Sequence, residues 1–180
     1  GAYGDAGCMV TNDDALAERM RRFANHGALH KDDHAVEGTN SRMDSIQAAI
    51  LTAKLEHIDR WNQMRRRNAR LYFDLLKDVE EIDLPIERKV TAHTYHVFAI
   101  RAQRRNELRQ WLQHRDVHTL IHYPRALHNL PAYRYLNYPA DTFPVADYLQ
   151  DSLLSLPVYP ELSEAQIHYA SDCIKEFYSR

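Results

Sequence analysis

The sequence predicts an α/β protein in which a long helix joins two parts. A short apolar strand near the start runs directly into a helix, which is the repeating unit of α/β folds. A helical pattern then continues for about 34 residues. After Pro85 strand and helix patterns mix, as they do in a small α+β domain. These observations divide the chain into residues 1–43, 44–78 and 79–180.

The first segment contains the strand and the helix that indicate the α/β class. Residues 8–11 are apolar and follow a glycine-rich turn, so they are predicted to form the strand. Asn12 is expected to cap a helix over residues 13–26, because acidic residues occupy the first turn and Gly27 is a natural stop. Residues 28–41 are predicted to form a loop.

The middle segment is predicted to be one helix over residues 44–77, with or without a kink. Asp44 occupies the N-cap position, and Gln47, three residues later, can complete a capping box. Apolar residues then repeat at spacings of three and four as far as Leu75. At 1.5 Å per residue the helix would be about 50 Å long, which suits a connection between two domains.

The last segment is predicted to contain two strands and three helices. The strands cover residues 94–100 and 117–121, and the helices cover residues 103–114, 141–154 and 163–178. The final helix has the clearest start, because Ser163 and Gln166 have the spacing of a capping box.

Composition excludes several classes of protein and partner. Hydrophobic residues make up 44% of the 180 residues, which is enough for a core and rules out a disordered chain. The formal charge of −2 gives no reason to expect nucleic acid or an anionic membrane as a partner. No apolar run approaches the ~20 residues of a membrane-spanning helix. The basic run of residues 65–67 is expected to be a solvated helix face.

The two cysteines lie far apart in the sequence. Cys8 is in the predicted strand and Cys173 is in the predicted final helix. We expect two buried thiols in a reducing compartment rather than a disulfide, and therefore a cytoplasmic protein.

Eleven histidines raise the question of a metal site. His26, His30 and His34 are four residues apart and would share one face of a continuous helix. Gly27 is expected to end the helix between them, and no Cys or Glu joins them at a familiar zinc spacing. No metal site is predicted.

Two polar segments are candidate binding sites. Asn40 and Arg42 precede the Asp44 cap on irregular backbone, where their donors suit a phosphate or carboxylate; an ordinary surface loop is the alternative. His122 and Tyr123 follow a predicted strand and precede a proline that fixes an extended exit. They can donate hydrogen bonds to a pyrophosphate or a sugar hydroxyl. The alternative is that both side chains hydrogen-bond only to the protein backbone at a boundary between domains.

Four ordered motifs give the chain a resemblance to a known family. They are the glycine-rich turn at 1–7, the run G-x-N-S-R-x-D-x-x-Q-A-A at 38–49, I-H-Y-P at 121–124 with L-H at 127–128 and P-A-Y at 131–133, and L-S-L-P-V-Y-P at 154–160. In this order they resemble the nucleotide-sugar aminotransferases of the DegT/DnrJ/StrS family. Those enzymes use pyridoxal 5'-phosphate (PLP) and have the aspartate-aminotransferase fold, which is fold type I of the PLP-dependent transferases.

The resemblance implies how the three segments are organised. Residues 1–43 would be the end of the large PLP-binding domain, residues 44–78 the long interdomain helix, and residues 79–180 the small α+β C-terminal domain. The Schiff-base lysine of the family lies about three residues before the position of Gly1, so we expect the C-terminal half of an enzyme. No internal lysine has a setting that would suit a Schiff base, and no catalytic residue is assigned. The lysines considered are Lys31, Lys54, Lys77, Lys89 and Lys175.

The resemblance also implies roles for individual residues. Asn40 is expected to reach the PLP phosphate of the other subunit in a homodimer with shared active sites, and Arg42 lies at the same seam. Tyr3, in the glycine-rich turn, is expected to contact the substrate. The alternative is that its ring only packs against other side chains. The expected substrate-binding residues are Tyr3, Arg42, His122, Tyr123 and His128.

The function implied by the resemblance is transamination of a keto-sugar linked to a nucleoside diphosphate, with PLP as cofactor. The amino donor would be glutamate or glutamine, and the I-H-Y-P form of the motif favours C3 of a dTDP-linked deoxysugar. The alternative is a non-enzymatic regulator, or a dehydratase-like relative, that has the fold and lacks the lysine.

Overall fold

The structure is a computed structural model that describes residues 1–88 and 90–180. Lys89, one of the lysines considered above, lies outside the described residues. The chain divides into two units, Gly1–Ile58 and Asp59–Arg180. Within the described ranges, no helix is both long enough and apolar enough to cross a lipid bilayer.

The first unit contains helices α1 (Asp14–Ala24) and α2 (Ser45–Leu55). α1 begins one residue later than predicted, because Asp13 and not Asn12 is its N-cap. The Asp13 carboxylate accepts a hydrogen bond of 3.0 Å from the Leu16 nitrogen. The first turn of α1 is thus closed by a local side chain.

The strand predicted over residues 8–11 is wrong. These residues are exposed, and the described part of the chain provides no neighbouring strand for them. A strand needs the hydrogen-bond ladder of a neighbour to be stable. Cys8 is therefore exposed, contrary to expectation, whereas Cys173 is buried as predicted, and both are free thiols.

The single helix predicted over residues 44–77 is interrupted. α2 ends, a turn at Glu56 and His57 follows, and α3 (Ile58–Leu76) then begins. The His57 nitrogen donates to the Lys54 carbonyl at 3.0 Å, an i→i−3 bond that tightens the last turn of α2. The boundary between the two units falls next to this turn.

The second unit is built on a small antiparallel sheet. Strands β1 (Ile82–Asp83), β2 (Phe98–Ala102) and β3 (Leu153–Leu156) pair in the order β1-β2-β3. Ile100 of β2 lies opposite Leu154 of β3. Along β2 buried and half-buried residues alternate, because one face of the strand points into the core.

Helices cover this sheet and complete the core of the second unit. They are α4 (Arg105–Gln113), α5 (Pro144–Ser152) and α6 (Glu164–Tyr178), with short 3₁₀ helices at Leu127–Asn129 and Pro131–Leu136. Fully buried side chains come from the sheet and from α3, α4 and α6: Tyr72, Leu76, Phe98, Ile100, Leu108, Leu112, Leu154, Ile167 and Ile174. A mixture of helices and a small sheet is what the last segment predicts.

Both strand predictions in the last segment need correction. β2 starts at Phe98, so only the end of the predicted range 94–100 is strand. The range 117–121 is not a strand, because only Leu120 pairs, in a single bridge with Ser155 of β3. This single bridge attaches Leu120 to the edge of the sheet, but the residues beside it do not extend the hydrogen-bond ladder into a fourth strand.

Two helix predictions had different outcomes. The helix predicted over residues 141–154 ends at Ser152, because the next residues pair with β2 and form β3. The capping box of the final helix is confirmed. The Gln166 nitrogen donates to Ser163 Oγ at 3.3 Å, and the Ser163 nitrogen donates to Gln166 Oε1 at 3.0 Å.

The basic run of residues 65–67 is more than a solvated helix face. Arg65 Nη1 donates to the carbonyl of Tyr95 at 3.1 Å and to that of Val158 at 2.8 Å. These charge-assisted bonds fasten two loops of the second unit to α3. The prediction of a purely solvated face is therefore wrong.

Candidate functional site

Asn40 and Arg42 lie in a loop that is fastened to the C-terminal end of α1. The Ser41 nitrogen donates to the Ala24 carbonyl at 2.9 Å, and Asn25 forms an antiparallel bridge with Asn40. The last carbonyls of a helix have no partner within the helix, and the loop supplies one here. The backbone of the loop is thus fixed although its side chains are exposed.

Two glycines allow the loop to approach α1 so closely. Gly27 has a φ of 81°, which side chains rarely adopt, and a Cβ atom there would overlap the Val36 carbonyl oxygen. At Gly38 a Cβ atom would overlap the Gly27 nitrogen and lie 2.8 Å from the Phe23 carbonyl oxygen. Any side chain at either position would displace the loop.

The side chains of the loop form a cluster of donors. Arg42 Nε donates to Asn40 Oδ1 at 3.3 Å, and Arg42 Nη1 donates to Asn25 Oδ1 at 3.4 Å. Asn25 is itself fixed, because its Nδ2 donates to the Ala28 carbonyl at 2.8 Å. The other terminal nitrogen of Arg42 and the amide nitrogen of Asn40 can then serve a ligand. Such donors are suited to an anion, and the roles assigned to the two residues stay predictions.

Tyr3 contacts two side chains of α2, those of Gln47 and Lys54. The Tyr3 nitrogen donates to Gln47 Oε1 at 2.8 Å, and the Tyr3 ring centroid lies 4.4 Å from Lys54 Nζ. Asp44 is the N-cap of α2, but its side chain makes no cap hydrogen bond. The predicted capping box is therefore wrong, because Gln47 bonds to Tyr3 instead. The Tyr3 side chain is 76% exposed, so it is not part of a core in the first unit.

His122 and Tyr123 leave the sheet edge in different environments. His122 is half-buried, and its Nδ1 lies 2.9 Å from Oγ of Ser155 in β3. Tyr123 is 76% exposed, and its ring meets the His122 ring edge-on at 5.8 Å between centroids. The His122 side chain is thus fixed by a hydrogen bond to the sheet, in addition to the backbone restriction expected from Pro124. Tyr123 is left facing solvent, where it can contact a ligand.

His128 is held by a carboxylate. Its Nε2 lies 2.8 Å from Oδ1 of Asp147 in α5, and Asn129 Nδ2 donates to the same oxygen at 2.6 Å. The hydrogen bonds from Asn129 and then from His128 lower the pKa of the Asp147 carboxyl, because both favour its charged form. With Nε2 engaged, only Nδ1 of His128 is left for a substrate.

A cavity of about 1100 Å³ lies beside this segment. Tyr123 and His128 both line it, and the remaining wall is mainly apolar, including Leu127, Tyr133, Tyr138, Phe143 and Leu149. Its size is adequate for a small-molecule ligand such as a nucleotide sugar. The structure thus brings two of the predicted substrate residues to one cavity.

The predicted site residues belong to both units. Tyr3, Asn40 and Arg42 are in the first unit, and His122, Tyr123 and His128 are in the second. Asn40 and Arg42 contact one another, whereas the hydrogen bond and ring contact of Tyr3 go to α2.

Three residues that position the candidate site of the second unit were not predicted from the sequence. Ser155 bonds to His122, Asp147 bonds to His128, and Gln150 Oε1 accepts from the Ala126 nitrogen at 2.9 Å. Ser155 stands in the L-S-L-P-V-Y-P motif, but that motif served only to identify a family. Nothing in the local sequence indicates which distant side chains these residues contact.

The histidine-rich loop of the first unit is occupied by local contacts. α1 ends before His26, which has a φ of 57°, so the three histidines do not share a helix face. His34 Nδ1 lies 2.9 Å from the His26 carbonyl oxygen. Among residues 1–88 and 90–180, no three His, Cys, Asp or Glu side chains are grouped so that they could hold a metal ion.

The chain is similar over nearly its whole length to the two proteins named next. It is 46% identical over 169 residues to the erythromycin biosynthesis sensory transduction protein EryC1 of Saccharopolyspora erythraea, which covers 93% of this chain and 46% of that protein. It is 39% identical over 180 residues to the dTDP-3-amino-3,4,6-trideoxy-alpha-D-glucose transaminase of Streptomyces venezuelae, with 100% of this chain and 48% of that protein covered. The chain spans about half the length of these relatives.

The fold agrees with a solved structure and with a family pattern. The crystal structure of S. venezuelae DesV in complex with a ketimine intermediate has a TM-score of 0.97 and 39% identity, covering 100% of this chain and 48% of that chain. This likeness extends over the whole chain and confirms the predicted α/β fold class. The pattern of the DegT/DnrJ/EryC1/StrS aminotransferase family matches residues 2–175. The chain therefore belongs to the DegT/DnrJ/EryC1/StrS aminotransferase family.

Proposed function

We propose that the full-length protein is a PLP-dependent aminotransferase that acts on a keto-sugar linked to a nucleoside diphosphate. The observation that supports this most directly is the 39% identity, along the whole chain, to a dTDP-amino-sugar transaminase. By the same similarity we propose C3 of a dTDP-linked deoxysugar as the position aminated. Glutamate or glutamine is the proposed amino donor, and the cytoplasm is the proposed location.

The donors of Asn40 and Arg42 fit the phosphate of PLP. Arg42 offers part of a planar fork of N–H groups, and Asn40 keeps its amide nitrogen because its oxygen accepts from Arg42. Both side chains are exposed, so neither leaves a core to reach a ligand. PLP, when bound, supplies the electron sink that moving an amino group requires. We propose that the two residues hold the PLP of the neighbouring subunit in a homodimer with shared active sites.

His122, Tyr123 and His128 are the proposed substrate residues of the second unit. An imidazole N–H and a phenol O–H can donate to a pyrophosphate or to a sugar hydroxyl. Tyr123 and His128 line the 1100 Å³ cavity, which offers room for the nucleotide sugar. Tyr3 and Arg42 are proposed to add contacts from the first unit.

The substrate role of His122 is tested by separating the two halves of the reaction. In the full-length enzyme, His122→Ala should weaken the nucleotide-sugar half-reaction and leave the amino-donor half-reaction nearly unchanged. The loss of one hydrogen bond to a charged group costs roughly 1.5–3 kcal/mol, or about ten- to a hundred-fold in affinity. Stopped-flow absorbance of the cofactor measures each half-reaction alone. An equal loss in both, or a loss confined to the donor step, would show that the motif serves another partner.

Shared active sites are tested by complementation. Asn40→Ala removes the proposed contact to the neighbour's cofactor, and a full-length variant without the upstream lysine lacks the proposed Schiff base. Each variant alone should be nearly inactive. Mixed dimers should regain part of the activity, because one of their two sites has both the lysine and Asn40. If hybrids form, as shown by differently tagged subunits, and activity stays absent, the sites are not shared.

A regulatory protein that lacks the lysine is the second candidate. It is favoured by the 46% identity to a relative named a sensory transduction protein. The discriminating observation is the residue three positions upstream of Gly1 in the full-length sequence. Lysine supports the enzyme, and any other residue supports the regulator or a dehydratase-like relative.

A further inference from the structure

Ser155 is held on both edges by the sheet. Its nitrogen donates to the Leu120 carbonyl at 2.7 Å, and its carbonyl accepts from the Leu120 nitrogen at 3.1 Å. On the other side it lies opposite Ala99 of β2. The residue is 4% exposed, so its side chain points into a fixed and nearly dry environment. A side chain that bonds to Ser155 is therefore oriented by the sheet itself.

The hydroxyl of Ser155 has one hydrogen-bond partner among the described residues, and that partner is His122 Nδ1 at 2.9 Å. A buried O–H group that donates to nothing is costly, whereas an unused lone pair on its oxygen costs less. The hydroxyl therefore donates to Nδ1. An imidazole nitrogen that accepts a hydrogen bond carries no proton, so the proton of the neutral ring is on Nε2.

We propose that Ser155 is a positioning residue that fixes His122 with its proton on Nε2. The neutral imidazole then donates from Nε2 to an oxygen atom of the nucleotide sugar, a hydroxyl or a diphosphate oxygen. The substrate part of this inference rests on the proposed function, while the location of the proton rests on the buried contact alone. Ser155 does not touch the substrate and acts only through His122.

His128 provides the opposite arrangement in the same segment. Its Nε2 faces the Asp147 carboxylate at 2.8 Å, and an ionised carboxylate can only accept. The neutral ring of His128 therefore also has its proton on Nε2, but the nitrogen left for a ligand is the accepting Nδ1. When both rings are neutral, His122 thus offers a donor and His128 an acceptor.

The location of the proton can be measured directly. The full-length protein is labelled with ¹⁵N-histidine and studied by long-range ¹H–¹⁵N correlation at pH ~8, above the ordinary imidazole pKa of about 6.5. The His122 signals are assigned as those missing from a His122→Gln variant. We expect Nε2 of His122 to be protonated and Nδ1 to have the shift of a hydrogen-bond acceptor. In Ser155→Ala the Nδ1 shift should move, while the signals of His128 stay in place. A protonated Nδ1 in the unmutated protein at this pH would overturn the inference.

The effect on the ligand is measured with two variants of nearly the same shape. Ser155→Thr keeps the hydroxyl and Ser155→Val replaces it by a methyl group, so steric effects cancel between them. With dTDP-glucose as the probe, calorimetry on the PLP-loaded protein should show roughly ten-fold weaker binding for Val than for Thr, the worth of about one hydrogen bond. If neither the Thr nor the Val variant folds, Ser155→Ala is compared with Ser171→Ala, which removes another buried hydroxyl from the same unit.

The outcomes for the inference and for the proposed function are separable. Equal binding by the Thr and Val variants, or by the two Ala variants, with weakened binding in His122→Ala would overturn the positioning role of Ser155. Unchanged binding in His122→Ala would instead contradict the substrate role of His122. In that case the NMR measurement still decides where the proton lies.

Discussion

Replacement of Arg105 by methionine tests how the second unit fixes the junction between α5 and β3. Arg105 is 7% exposed, and burial lowers the pKa of its guanidinium. Its Nη1 donates to the Leu153 carbonyl at 2.8 Å, and its Nη2 donates to the Gln150 carbonyl at 3.2 Å. Both carbonyls lie where the helix ends and the strand begins, so methionine would remove two of their charge-assisted hydrogen bonds while filling a similar volume.

The expected loss follows from these two contacts. A hydrogen bond to a charged group contributes roughly 1.5–3 kcal/mol, and two of them set an upper range of about 3–6 kcal/mol. Methionine avoids the cost of burying a charge, which offsets part of that loss. We therefore expect Arg105→Met to lower the free energy of unfolding of the second unit by about 2–4 kcal/mol.

The assay is urea unfolding followed by tryptophan fluorescence, because Trp61 and Trp111 both belong to the second unit. Arg104→Met is the matched control, since the neighbouring Arg104 side chain is 54% exposed and pairs with Glu107 on the surface. Surface ion pairs contribute little, so this variant should unfold almost like the unmutated protein. If Arg105→Met loses no more stability than Arg104→Met, the buried bonds do not hold the junction.

Two further predictions concern the candidate site. Asn129→Ala should bring the pKa of the Asp147 carboxyl back toward its ordinary value, because the bond from Asn129 is the largest cause of its lowering. A carboxyl with a lowered pKa in the folded state stabilises the protein above its unfolded value near 3.9, and this stabilisation is lost as pH falls through the folded value. Urea titrations between about pH 5 and 2 should therefore show a smaller acid loss for Asn129→Ala, and equal losses would contradict the assignment. Gly38→Ala should loosen the loop at the end of α1, whereas Gly7→Ala should not, because a Cβ atom at Gly7 meets no atom within 4 Å. Amide hydrogen exchange measures the difference, and equal protection of the loop in both variants would refute the steric argument.

Local signals account for the parts of the fold that the sequence predicts well. The range predicted for α6 differs from the observed helix by one residue at its start, because Ser163 and Gln166 form their capping box within one turn. The break after α2 has no such signal, since Glu56 and His57 are both compatible with a helix. β3 follows α5 without an intervening Gly or Pro, and only its pairing with β2 makes it a strand.

The same distinction applies to the candidate site. Asn40 and Arg42 are two residues apart, so their joint position could be predicted from the sequence. Ser155 lies 33 residues beyond His122, and that contact exists only because β3 returns to the sheet edge. Propensity and spacing describe neighbours in the sequence, while such pairs depend on the tertiary fold.

The candidate substrate segment, residues 120–129, is oriented by one short stretch of the chain. Hydrogen bonds join this segment to residues within 144–156, where α5 leads directly into β3. Asp147 contacts His128 near the end of the segment. Gln150 accepts a hydrogen bond from a backbone nitrogen in the middle of the segment, and Ser155 contacts His122 near its start. Because a helix and a strand fix the spacing of these three residues, the segment they hold is placed as a unit. Neither Asp147 nor Ser155 lines the 1100 Å³ cavity. On the proposed function, we therefore expect substitutions of these two residues to change the orientation of the segment without changing the wall of the cavity.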